Sequence, residues 1–165
     1  MVITLTGFMG SGKTTVGKVL ADFLGCPFFD LDDHIVKKAG KSIPEIFAQD
    51  GEPAFREQEA KLLRQTVNKY AENTVVLALG GGAVTTPSSA VLLNEKTVCI
   101  YLRATLETLL QRLEGQTAGR PLADDALAAR LTEREPLYEK TAHVIIDTDG
   151  LSPEEVADEI IICAL

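Results

Sequence analysis

The chain has 165 residues, 45% of them hydrophobic, which suits one domain with a full core. Its net charge of −8 argues against general attraction to nucleic acid or to anionic membranes. No apolar run approaches membrane-spanning length, and the opening MVITLTGFMGSGK lacks the basic lead of a signal peptide, so a cytoplasmic protein is expected.

Val2 to Thr6 is a short β-branched run that ends in glycine, the pattern of a buried strand. The spacing of Val16, Val19, Leu20 and Phe23 predicts a helix over 12–24. Residues 27–30 read as a second strand. Residues 35–49 suggest short helices interrupted at Gly40 and Pro44. A longer helix is predicted over 53–70, with Pro53 in the first turn, where a missing N–H is tolerated. Strands are expected at 74–79 and 97–102, and helices at 88–94 and 106–113. The turn-rich GQTAGRPLAD at 115–124 predicts a mobile loop. Helix returns over 126–138, with Pro136 near its end. Residues 143–147 form a last strand, and Ser152 and Pro153 open a closing helix as N-cap and first residue. Strands alternating with helices predict an α/β fold in which a five-stranded parallel sheet is covered on both faces. Cys26, Cys99 and Cys163 are far apart and form no C-x-x-C pair, so reduced thiols packed in the core are expected.

Residues 7–14, GFMGSGKT, match G-x-x-x-x-G-K-[ST] between a predicted strand and a predicted helix. Backbone N–H groups around Gly10 and Gly12 can face phosphate oxygens, and the helix start adds positive potential. Gly10, Ser11, Gly12, Lys13, Thr14 and Thr15 are therefore the expected seat of ATP. Lys13 supplies a cation for the outer phosphates, and the Thr14 hydroxyl suits Mg²⁺. Such a loop does not name an activity. The guanine-reading N-K-x-D is missing, since NKYA at 68–71 has no aspartate, and the chain is short for a motor ATPase. A small-molecule kinase fits.

The acceptor side starts at FFDLDDHI, 28–35. Asp30 and Asp32, alternating at a strand end, share a face. One suits Mg²⁺, and the other can orient and deprotonate an acceptor hydroxyl. Helix capping competes with that role, most of all for Asp33. His34 reads as a surface residue. In FREQE, Arg56 and Glu59 stand at i,i+3, either a fork prepared for a carboxylate or an ordinary solvated ion pair. Arg120, in the loop, and Arg134, on a late helix, read as surface residues when taken singly, and Arg130, one turn before Arg134, more firmly so. Gly80, Gly81 and Gly82 follow an apolar strand, where bare backbone lets a ligand lie against the chain.

Taken together, GFMGSGKTTVGKVLA, FFDLD, SIPEIFAQDGEPAFREQE, LALGGGAV, GRPL and REPLYEKTA resemble the shikimate kinases, in that family's order and over nearly the whole chain. The resemblance implies a nucleoside-monophosphate-kinase-like fold with strand order 2-3-1-4-5. It also implies transfer of the ATP γ-phosphate to the 3-hydroxyl of shikimate, on the route to chorismate and aromatic amino acids. By position, Asp32 is the implied base and hydroxyl contact, and Asp30 lies near Mg²⁺. Arg56 and Arg134 clamp the shikimate carboxylate, and Gly80 to Gly82 line its ring. Arg120 reaches in from a lid at about 115–124, while Arg112 and Pro153 match the positions that sandwich adenine. The acceptor segment spans about 31–60, and a monomer is the default. Two rivals stay open. A gluconate-type sugar kinase or a nucleotide kinase would keep the phosphate loop with another acceptor site. A nucleotide-dependent binding module would need a lesion at Lys13, Asp32, Arg56, Arg120 or Arg134, and the sequence has none.

Overall fold

The computed structural model describes residues 1–116 and 124–165. β1 (Val2–Thr6) is buried along its whole length and takes the centre of the sheet. It is flanked in the order β2-β3-β1-β4-β5 by β2 (Phe28–Asp30), β3 (Val75–Ala78), β4 (Val98–Arg103) and β5 (Val144–Asp147). All pairings are parallel, with Ile3 opposite Val76 and Val98. A parallel sheet needs cover on both faces, and alternate side chains divide between them. Ile3, Leu5, Val76, Ile100 and Leu102 pack with residues of α1 (Lys13–Leu24) and α8 (Pro153–Ala164). Val2, Leu77, Cys99 and Tyr101 pack on the other face with residues of α4 (Glu52–Lys69), α5 (Pro87–Lys96) and α7 (Asp124–Thr141).

Between β2 and α4 lie α2 (Leu31–Ala39) and α3 (Ile43–Asp50). Gly40 separates them as predicted, in the left-handed region at φ 66°. Pro44 does not interrupt: it sits in the first turn of α3, behind a capping box in which Ser42 and Glu45 exchange hydrogen bonds. α7 likewise runs through Pro136 and ends at Thr141, because Leu131 and Tyr138 fix its core face on both sides of the proline. Loss of one helical N–H is outweighed by that burial.

The sixth helix, α6 (Leu106–Gln116), exceeds its predicted length, α7 starts at Asp124, and the rest of the predicted loop at 115–124 lies outside the described residues. A short 3-10 turn, Ala83–Thr85, follows the glycines and was not foreseen. All three thiols are free as expected, but only Cys99 is buried: Cys26 packs half-buried against the core and Cys163 is exposed on α8. No helix among the described residues is long and apolar enough to cross a membrane.

Candidate active site

The carboxyl end of the sheet gathers the candidate residues. Gly10 and Gly12 hold φ angles of 81° and 94°, which L side chains rarely adopt. Gly12 is also the N-cap of α1 and offers no side chain to its first turn. Those N–H groups are left for an anion. Lys13 Nζ donates to the carbonyls of Gly7 and Phe8, both at 2.9 Å. Burial pulls its ammonium down to about 8, against Asp32 and Asp30, which hold it up. The positive charge is thus kept on the loop, desolvated and facing carboxylates.

Asp30 works in two directions. One carboxylate oxygen caps α2, accepting from the backbone N–H groups of Asp32 at 3.0 Å and Asp33 at 3.2 Å. The other accepts from the Thr14 hydroxyl at 2.7 Å. This pair of hard oxygens beside the phosphate loop fits a magnesium ion completed by phosphate and water. Among the described residues, no group of three or more acidic, histidine or cysteine side chains forms a cage of its own.

The expected strand-face relation of Asp30 and Asp32 is not observed. β2 ends at Asp30, and Asp32 lies in the first turn of α2, because the cap closes the helix around it. Asp32 still turns into the site. Its Oδ1 is buried without a hydrogen-bond partner among the described residues, as is Oε2 of Glu59. A Cβ built on Gly80 would lie 2.7 Å from the first oxygen and 3.0 Å from the second. Both carboxyl groups are pushed up by burial, with Asp30 adding to the shift of Asp32 and Arg56 opposing both.

Arg56 is not solvated as a surface pair would be. Its Nη1 donates to Glu59 at 2.9 Å, and Glu59 is 1% exposed. A Cβ on Gly82 would fall 2.5 Å from Arg56 Cζ. The space over Gly80 and Gly82 is therefore filled by the chain's own functional groups, whereas Gly81 has only ordinary clearance, 3.4 Å or more. Arg134 lies near it, with Nη1 3.6 Å from that position. Arg134 hydrogen-bonds the hydroxyl of Tyr138, which itself donates to the Gly81 carbonyl. Tyr138 had no part in the sequence expectations, although its i+4 spacing from Arg134 was the available signal. Arg56, Arg134, Phe47, Glu52 and Thr85 line a cleft of about 360 Å³.

A second cleft, of about 180 Å³, is lined by Gly10, Ser11, Gly12, Thr15, Arg112 and Pro153, so the two adenine candidates share one hollow with the phosphate loop. Arg112 Nη1 donates to the carbonyls of Gly10 and Ser11, each at 3.3 Å, and Nη2 to that of Thr148 at 3.1 Å. Arg120 lies outside the described residues.

The family model of shikimate kinase matches residues 9–164. The chain belongs to the shikimate kinase family. It is accordingly an ATP-dependent kinase. A shikimate kinase of Enterococcus faecalis is 44% identical over 164 residues, covering 96% of this chain and 95% of that protein. One of Geobacter sulfurreducens is 47% identical over 163 residues, covering 96% and 87%. Among solved structures, the shikimate kinase of Acinetobacter baumannii in complex with shikimate superposes with a TM-score of 0.87 at 35% identity, covering 97% of this chain and 90% of that one. A gluconokinase of Sinorhizobium meliloti, at 18% identity and a TM-score of 0.56, shares the fold alone.

Proposed function

We propose that this member of the shikimate kinase family transfers the γ-phosphate of ATP to the 3-hydroxyl of shikimate, giving shikimate 3-phosphate and ADP. The observation that carries the reading is the buried Asp32 Oδ1, without a hydrogen-bond partner among the described residues and within the electrostatic reach of Lys13 and Arg56. A carboxylate with a free oxygen there suits the proton of an acceptor hydroxyl. Removing the proton is only part of the task, since phosphoryl transfer depends mainly on positioning and on neutralising charge.

In this reading Gly10 to Thr15 cradle the phosphates, and Arg112 and Pro153 flank the base. Lys13 leaves the loop carbonyls for the outer phosphates and meets charge that grows during transfer. Magnesium, when held beside Thr14 and Asp30, supplies further neutralisation of the phosphate oxygens. Arg56, already oriented by Glu59, and Arg134, oriented through Tyr138, receive the shikimate carboxylate as charge-assisted partners. Gly80, Gly81 and Gly82 admit those groups and offer backbone to the ring. Arg120, from the segment at about 115–124, completes the charge neutralisation. The reading extends to a monomer working in the cytoplasm.

The test is ADP release with shikimate, with gluconate, with a nucleoside monophosphate and with no acceptor. Turnover confined to shikimate supports the reading. Equal turnover with another acceptor, or none with shikimate, defeats it.

A further inference from the structure

Arg130 is exposed on α7, one turn before Arg134, and it lines the same cleft as Arg56 and Arg134. A spacing of four puts the two α7 arginines on one helix face, and like charges so spaced repel. Among the described residues no bond to Arg130 offsets that cost. Arg56 has Glu59 at 2.9 Å and Glu52 at 3.4 Å. Arg130 has no ion pair or hydrogen bond among the described residues. Glu133, three residues on, lines the cleft without forming an ion pair with it. In a chain of net charge −8, Arg56, Arg130 and Arg134 gather around one opening beside Glu52 and Glu133. An exposed, unpaired guanidinium at a cleft mouth is suited to attract an anion over distance, not to grip it.

We propose that Arg130 captures the carboxylate of the acceptor at the mouth of the cleft and passes it to Arg56 and Arg134. This rests on the shikimate reading. Arg130 thereby sets selectivity for an anionic acceptor through KM, while the chemical step is left to the inner residues. An exposed charge acts through solvent, where the screening length is about 10 Å at 0.1 M salt. Its effect must therefore fade as salt rises, unlike that of the half-buried Arg56.

The experiment is steady-state kinetics of wild type, Arg130→Ala, Arg130→Lys and Arg130→Glu at low and high salt. At low salt Arg130→Ala should raise the KM for shikimate about threefold to tenfold. Its kcat and its KM for ATP should stay at the wild-type values. Arg130→Lys should remain near wild type, Arg130→Glu should be worse than alanine, and all four should converge at high salt. An unchanged KM in Arg130→Ala overturns the inference. So does a defect that persists in high salt, that falls equally on ATP, or that lysine fails to repair. Wild type lacking shikimate-dependent ADP release defeats the function reading itself. Active wild type with a silent Arg130→Ala defeats this inference alone.

Discussion

Glycine at 82 matters because of what stands above it. The guanidinium of Arg56 occupies the volume of the missing Cβ, and that Cβ would come within 2.5 Å of Cζ. Gly82→Ala must push the guanidinium aside, and a flexible side chain can move without breaking the fold. We expect kcat/KM for shikimate to fall about tenfold to a hundredfold, with KM for ATP unchanged, since a charge-assisted contact is misplaced. Gly81→Ala meets protein atoms only at 3.4 Å or beyond, so it leaves Arg56 in place and should cost less than Gly82→Ala in the same assay. If Gly81→Ala is the more damaging, the glycines serve the ligand's approach and not the placement of Arg56. Asp32→Asn tests the chemistry instead. It keeps the size but cannot take the proton, so kcat should drop by about two to four powers of ten with ATP binding intact. Near-wild-type turnover would remove Asp32 from the proton's path. At this scale the sequence revealed identities better than neighbours. The glycine run was legible as a demand for bare backbone, but the groups that impose it come from α2 and α4, far along the chain. Arg130 reads as surface for the same reason: its exposure was legible, and the cleft it borders was not.

Elements were legible where burial is one-sided or complete. β1 and α1 match their predicted bounds within a residue, because their apolar spacing has a single structural solution, and α8 starts where its capping residues predict. One proline misled. Pro44 reads as a break but lies in the first turn of α3, whereas Pro136 lies within α7 as expected and the helix runs three residues past its predicted end, because capping and core contacts decide where a helix stops. The turn from β2 into α2 was hidden similarly, since Asp30 supplies the cap that takes Asp32 out of the strand. Gly17 shows what such packing demands. It is buried within α1, and a Cβ there would lie 2.5 Å from Phe28 Cε2, 3.1 Å from Cδ2 and 3.3 Å from Leu5 Cδ1. That close approach of α1 to β2 accompanies the contact of Thr14 with Asp30. Gly17→Ala gains about 1 kcal/mol of helix propensity. Overpacking against a ring and the core costs about 1–3 kcal/mol. We expect net destabilisation, seen as a lower urea midpoint with an unchanged slope, and a raised KM for ATP·Mg²⁺. A higher midpoint would mean that the Phe28 ring yields freely and that the spacing of α1 from β2 is not set there.

The whole molecule joins two half-sites at one end of one sheet. In the proposed reading the nucleotide half rests on α1, α6 and the start of α8, and the acceptor half on α3, α4 and α7 with Asp32 of α2 beside them. Few residues belong to both, so the halves should respond separately to ligand. A ligand that binds only the folded chain stabilises it by about 2.7 kcal/mol at a hundred times its Kd. For a domain of this length 1 kcal/mol moves Tm by about 2–4 °C. Saturating shikimate and saturating ADP should therefore each raise Tm by about 5–10 °C in the wild type. Arg56→Ala removes the carboxylate partner and leaves the phosphate loop untouched. It should lose most of the shikimate shift and keep the ADP shift. Lys13→Met removes a phosphate contact from the other half, so it should weaken the ADP shift and keep the shikimate shift. Thermal unfolding of the three proteins with each ligand reads this directly. If Arg56→Ala lost both shifts, Arg56 with its buried partner Glu59 would be holding the fold and not the acceptor, and the assignment of the arginine-lined cleft to shikimate would fall.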